Sequence, residues 1–324
     1  MSDYAFELGN HQFLPALSLE PESQAWLDRG ATWMFGFNHE EAIRCFEEAA
    51  KANENCALAY WGIAYSVGPN YNKIWDMFPY REKKSCVKTA WSAIEKGKAV
   101  AEPGSLPFKL LAALETRYPK EAEVEDHGPY IETFAKEMAR IFETHSDELD
   151  IVCLYIESIM GRTPWALWNL STGEPGKDAS TLEAKKILEG VFEHNLSAWQ
   201  HPGLLHFYIH LMEMSPTPEL ALPHGDALAN LVPASGHLLH MATHIDVLCG
   251  DYSNVVERNR RAANADQPYT SLRGADNFYT VYRIHNVHFI AYGAMFQAQK
   301  RVALNAATEL RKLLPEPIVA FLPD

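Results

Sequence analysis

Apolar residues recur along this chain at three- and four-residue intervals and rarely alternate, the signature of amphipathic helices. In FNHEEAIRCFEEAAKAN (37–53), Ala42, Ile43, Phe46, Ala49 and Ala50 share one helix face, and charged side chains take the other. LEAKKILEGVFEHN (182–195) repeats the pattern with Ile187, Leu188 and Val191. Val/Ile/Thr alternation is scarce, and no Asn-Gly or Asp-Gly hairpin turn occurs. The pattern predicts an all-α protein.

A longer period lies over the helical one. His206 to His240 is 34 residues, and so is His210 to His244. His237 to His285 and His240 to His288 are both 48, which is 34 plus an insertion of 14. A 34-residue period is the length of a helix-turn-helix solenoid unit. Near the N-terminus, Trp26, Gly30, Ala42, Phe46 and Ala49 stand at the offsets of such a unit. Ala221 and Pro233, then Gly250, Tyr252 and Ala262, then Ala303 and Pro315 mark later ones. The spacing predicts one right-handed α-solenoid over 1–324 with about seven helix pairs. Their first helices start near Gln24, Ala57, Leu106, Asp150, Gly203, Gly236 and Ile284. Three stretches read as inserts, at 70–83, 161–180 and 267–279. Such loops tend to fall on one rim of a solenoid and cover a site, so 70–83 and 161–180 are expected to be lid-like.

Five motifs carry a family likeness: FNHEEA (37–42), AYWGIAYSVGPNYN (59–72), HPGLLHFYIHLME (201–213), GHLLHMATHI (236–245) and HNVHF (285–289). On these the chain resembles tetratricopeptide-repeat (TPR) proteins. More narrowly, it is similar to bacterial and fungal TPR proteins that keep those motifs. The likeness covers most of the chain and departs at the closing FLPD, beyond which that family continues. It implies a TPR-like solenoid whose first helices line a concave groove.

The histidines carry the candidate chemistry. Nine of the fourteen lie between His201 and His288, more than twice an even share. His206, His210 and Glu213 are spaced i, i+4, i+7, so one helix face holds them. His237, His240 and His244 follow i, i+3, i+7, and His285 and His288 follow i, i+3. Stacked helices lie about 8–10 Å apart, close enough for imidazoles on neighbours to meet. The column His206, His240 and His288 is therefore expected to converge, with His210 and His244 beside it. A lone helical histidine is ordinarily a surface or satisfied core residue; a cluster needs something to hold it together. One candidate is a transition metal (Cu, Fe or Zn), bound by His210, His240, His244 and His285. His206, Glu213, His237 and His288 then orient ligands or move protons as catalytic groups. The other candidate is a polar or anionic substrate held by the imidazoles themselves.

Aromatic and amide residues could wall such a groove. Trp61 and Tyr65 share a helix face, Tyr71 and Asn72 lie in GPNYN, and Trp165 and Trp168 in the TPWALW insert. These six and His39 are the substrate-binding candidates. For Trp61 and Tyr65, inter-helix packing competes as an explanation. For His39 the structural reading is an N-terminal helix position, with Asn38 as N-cap and Glu41 as its capping-box partner.

Net charge is -14, which argues against nucleic acid or an anionic membrane as partner. No apolar run approaches membrane-spanning length. Five cysteines without a CxxC pair, and no signal-like N-terminus, point to a cytoplasmic protein with reduced thiols. HEXXH, Walker, GxGxxG and GxSxG motifs are absent. Two functions stay open. One is a metal-dependent enzyme acting on a small polar molecule; hydrolase, lyase and oxygenase chemistry are not separated. The alternative is a TPR peptide- or protein-binding scaffold. A groove of His and Trp offers few fixed cations to an acidic peptide, which favours the enzyme.

Overall fold

In the computed structural model, residues 4–17, 19–120 and 124–314 are described. Pro315 and the FLPD stretch lie outside them. Among the described residues there are fourteen α-helices and no strand, only two isolated bridges, Asn70 to Lys73 and Trp168 to Pro175. The all-α expectation holds. No described helix is long and apolar enough to cross a membrane.

The chain forms two compact units. The first, Asn10–Pro216, holds α1 (Pro21–Phe35), α2 (His39–Ala52), α3 (Ala57–Ser66), α4 (Tyr80–Val100), α5 (Leu106–Arg117), α6 (Gly128–Thr144), α7 (Leu149–Met160), α8 (Thr181–His194) and α9 (Pro202–Met212). The second takes the segment before Asn10 and everything from Thr217. It holds α10 (Leu222–Leu228), α11 (Gly236–Leu248), α12 (Tyr252–Arg273), α13 (Tyr279–Phe296) and α14 (Lys300–Leu313).

Local sequence explains the boundaries. Asn38 caps α2 by accepting the Glu41 N–H at 3.2 Å, and Glu40 and Glu41 place negative charge at the helix's positive end. Ser235 caps α11 through the Leu238 N–H, and Asp251 caps α12 through the Asn254 N–H. The predicted first helices of six pairs match observed starts. The seventh, α13, begins at Tyr279 rather than near Ile284. The 70–83 insert ends early, since Tyr80–Lys83 open α4. The 161–180 insert is a loop throughout, as expected. The third insert is largely helical: α12 runs to Arg273 with Pro268 inside it. Burial outweighs the lost proline N–H there, because the fully buried Tyr269 packs on Phe6 and Tyr279.

In the first unit, consecutive helices pack on one another, and α1 also meets α3 and α9. An open repeat array touches only its neighbours. Here the first helix of the unit reaches its last, so the inner helices bury nearly everything. All of α9 is buried, and so is α7 from Asp150 to Met160. Such helices read as apolar all round, apart from the polar groups they bring to a site. Close approach has a local cause. A Cβ at Gly203 of α9 would lie 2.5 Å from the Cys153 sulfur of α7. Phe46 of α2 is wedged between Gly30 of α1 and Gly62 of α3, whose Cβ positions lie 2.6 and 2.4 Å from its ring. All five cysteines are free thiols, four buried and Cys249 exposed.

Since the Phe46 ring is fully buried and held from both sides, Gly62→Ala has no room to relax. We expect it to destabilise the first unit by about 1–3 kcal/mol, the usual cost of overpacking, read as a lower urea midpoint with native helicity intact.

Candidate metal centre

Three histidines meet inside the second unit. His240 and His244 lie one turn apart on α11, and His285 comes from α13, which packs beside it. One ring nitrogen from each lies within 4.8 Å of the other two. The His240 and His244 Nε2 atoms are 2.9 Å apart. The His285 ring centroid is 4.7 Å from that of His240 and 5.5 Å from that of His244. Phe289, one turn after His285, sets its ring against all three imidazoles at 4.6–5.1 Å. His240 is buried, and the other two are half-buried.

The hydrogen-bond network fixes the tautomer of His240. Asn259 on α12 is fully buried, and its Nδ2 donates to Val255 O at 2.7 Å and Thr243 Oγ1 at 3.1 Å. Its Oδ1 must then be the atom facing His240 Nδ1, at 2.6 Å. Nδ1 therefore carries the proton, and Nε2 presents its lone pair to the cluster. This is the outer-shell arrangement that orients metal-bound imidazoles. With that lone pair opposite it, His244 Nε2 donates a hydrogen across the 2.9 Å gap. To coordinate an ion beside His240, His244 must hold its proton on Nδ1 instead.

The start of α11 is held from below. Asp266 of α12 accepts the Gly236 N–H at 3.1 Å, the Tyr279 hydroxyl at 3.0 Å and an Asn286 N–H at 3.0 Å. The Tyr279 oxygen accepts the His237 N–H in turn. Burial raises the Asp266 carboxyl to about 7, against the pull of these donors. His237 stacks near Tyr282, with centroids 4.3 Å apart, and lies 6.3 Å from the His240 ring. His288 is exposed, 6.2 Å from the His285 ring, so His285 rather than the expected His288 meets His240.

The first unit gathers a second set. His206 Nδ1 donates to Phe35 O at 2.6 Å, and His210 Nδ1 to Glu213 Oε1 at 2.7 Å. Both rings thus turn Nε2 lone pairs away from these partners, and they stand 4.7 Å apart. Phe37 lies on His206 at 4.5 Å, and Tyr71 on His210 at 4.8 Å. Phe37 adopts φ 56°, a left-handed backbone rare for a bulky residue, and holds it next to this pair.

A third group, His11, Asp150 and His201, has metal-like spacing but different chemistry. His201 Nδ1 accepts the Leu204 N–H and caps α9, so its Nε2 carries the proton and donates to Asp150 Oδ1 at 3.1 Å. His11 Nε2 lies 3.1 Å from the same oxygen, and Leu14 N–H donates to the other at 2.7 Å. Burial alone would raise the Asp150 carboxyl, yet the two histidines hold it well below the usual carboxylate range. This group anchors the N-terminal segment to α7 and α9.

The expected groove residues part company. Trp61 is core, stacked on Phe13 at 5.5 Å. Trp168 is buried too, its Nε1 donating to Leu211 O at the end of α9. That pins the 161–180 loop. Trp165 is exposed, and its N–H donates to the Tyr71 hydroxyl at 3.0 Å. His39 Nδ1 donates to Ser66 O at 2.9 Å, and burial, with Arg117 nearby, lowers it to about 3, so it stays neutral. Asn72 lies in the Asn70 turn, where its N–H donates to Asn70 Oδ1. Tyr65 and Tyr71 line one small pocket of about 50 Å³, with Trp75, Arg117, Phe134 and Glu157. Sequence reading missed Glu157, which sits on the apolar α7 with no motif around it. Comparison with protein-family models gave no match, and comparison with curated proteins gave no similar protein.

Glu157 is 6% exposed, and burial raises it to about 7 despite the Tyr65 hydroxyl and Arg117. A carboxyl raised on folding opposes the folded state as pH climbs from its ordinary value through about 7. Tyr65, Arg117 and Cys153 are the other titratable groups that act on it. Glu157→Gln removes the penalty and keeps an acceptor for Tyr65. Between about pH 5 and 8 its stability should gain on wild type by about 2 kcal/mol in urea titrations. Parallel pH curves would contradict this.

Proposed function

We propose that this chain is a TPR-like helix-pair protein that binds one transition-metal ion through His240, His244 and His285, and that it acts as an enzyme on a small polar molecule. The carrying observation is the locked tautomer of His240, whose Nε2 lone pair is aimed at two further imidazoles by Asn259. Neutral imidazoles suit Cu, Fe and Zn alike. A bound ion of this kind supplies Lewis-acid or redox chemistry. The chain's own share is to orient the ligands and set Phe289 against them, with His244 and His285 half-buried. In the first unit, Glu213 holds the His210 Nδ1–H, the arrangement of an oriented general base. The TPR relationship is supported by the helix-pair register and by the motifs. In the first unit α7 from Asp150 onward and all of α9 are buried, which counts against a peptide laid along those two helices.

Elemental analysis of protein purified without a histidine tag tests the reading. Wild type should hold about one ion per chain after dialysis against a weak chelator. His240→Ala and His244→Ala should hold none, with helicity unchanged. Asn259→Leu, which frees the His240 ring, should weaken affinity by about 10–100-fold. Equal metal in wild type and His244→Ala would remove the metal centre and leave the imidazoles as substrate-binding groups.

A further inference from the structure

The pocket beside Glu157 lies wholly in the first unit and shares no residue with the three-histidine cluster. Its walls are flat and apolar: Tyr65 of α3, Trp75, and Ile131 and Phe134 of α6. Beside Asn70, Tyr71 and Ser158, whose polar atoms have partners in the adjoining loops and on α7, three further buried polar groups break this lining: Arg117, Glu157 and the Trp75 indole N–H. Arg117 is already engaged. Its guanidinium donates to the main-chain oxygens of Tyr65 and Pro69 and lies over the Tyr65 ring at 4.4 Å and near Phe134 at 5.1 Å. Glu157 is half engaged. Its Oε2 accepts the Tyr65 hydroxyl at 2.6 Å, whereas Oε1 is buried with no hydrogen-bond partner among the described residues. Trp75 Nε1–H is likewise buried without an acceptor. One orphan acceptor and one orphan donor thus belong to residues lining the same pocket, and each is costly if left unmet.

We infer that this pocket binds a compact carboxamide on a flat apolar body, its N–H₂ donating to Glu157 Oε1 and its carbonyl accepting from Trp75 Nε1. A carboxamide carries a donor and an acceptor on one planar group, without charge. At about pH 8, where the probes are compared, Glu157 lies above the value of about 7 to which burial raises it and only accepts, so a carboxylate of the same shape has no donor for it. An ammonium has no acceptor for Trp75 and is repelled by Arg117. Ring stacking between the aromatic walls supplies the apolar part of the affinity.

Benzamide, benzoate and benzylamine are the probes, titrated into the full chain by isothermal calorimetry with tryptophan fluorescence in parallel. Benzamide should bind with a Kd below about 10 mM and about tenfold or more tighter than the other two. Trp75→Phe and Glu157→Gln, checked for native helicity, should each weaken benzamide by about tenfold, the loss of one buried hydrogen bond. No benzamide binding at about 10 mM, or equal affinity for the three probes, overturns the inference. So does a Kd unchanged in both folded variants. The probe series on wild type stands even where a variant fails to fold.

Discussion

A buried imidazole has two ring nitrogens to satisfy, and the partner given to one decides what the other can do. That constraint sorts the histidines of this chain into two kinds. His39, His206, His210 and His240 each spend Nδ1–H on an acceptor: Ser66 O, Phe35 O, the Glu213 carboxylate and Asn259 Oδ1. Their Nε2 atoms are left as lone-pair donors. His201 is wired the other way, with Nδ1 accepting a helix N–H and Nε2–H held by Asp150. One residue type thereby turns a ring lone pair toward its neighbours in one place and acts as a structural pin in another. Spacing alone cannot distinguish them, because His11, Asp150 and His201 are as close together as His240, His244 and His285.

The partners that fix these tautomers come mostly from other helices. Phe35 O is the last residue of α1, Ser66 O the last of α3, and Asn259 a buried position of α12. Chemistry is therefore tied to packing. If α12 shifted along α11, Asn259 would lose Thr243 and His240 together, and the Nε2 direction with them. Asp266 guards against that shift by fastening α12 to the start of α11 and to Tyr279 and Asn286 of α13. Gly236 is required there, since a Cβ would lie 2.3 Å from the Asp266 carboxylate.

Much of this was legible in the primary structure. Periodicity and repeat spacing located α2 and α8 and the starts of α1, α3, α5, α7, α9 and α11, and the spacing of the histidines put His240, His244 and His285 on facing helices. The exceptions have physical causes. The 267–279 stretch contains Pro and Gly and reads as a loop, yet burial of Tyr269 carries α12 through Pro268. Trp168 stands among prolines and glycines and still buries itself to cap the end of α9. Glu157 was invisible because a single carboxyl in an apolar helix has no pattern; only the fold shows that Tyr65 and Arg117 converge on it. Asn259 was missed for the same reason, as one polar residue among many on α12.

The cysteines turn these packing contacts into something that can be timed. Cys153 is fully buried, its sulfur fills the space over Gly203, and burial raises its thiol far above the reactive range. A thiol reagent can reach it only when α7 and α9 part, while Cys249 at the end of α11 is exposed in the native fold. The first unit thus carries its own stopwatch for the opening of its most buried seam, and the second carries an internal standard against which to read it.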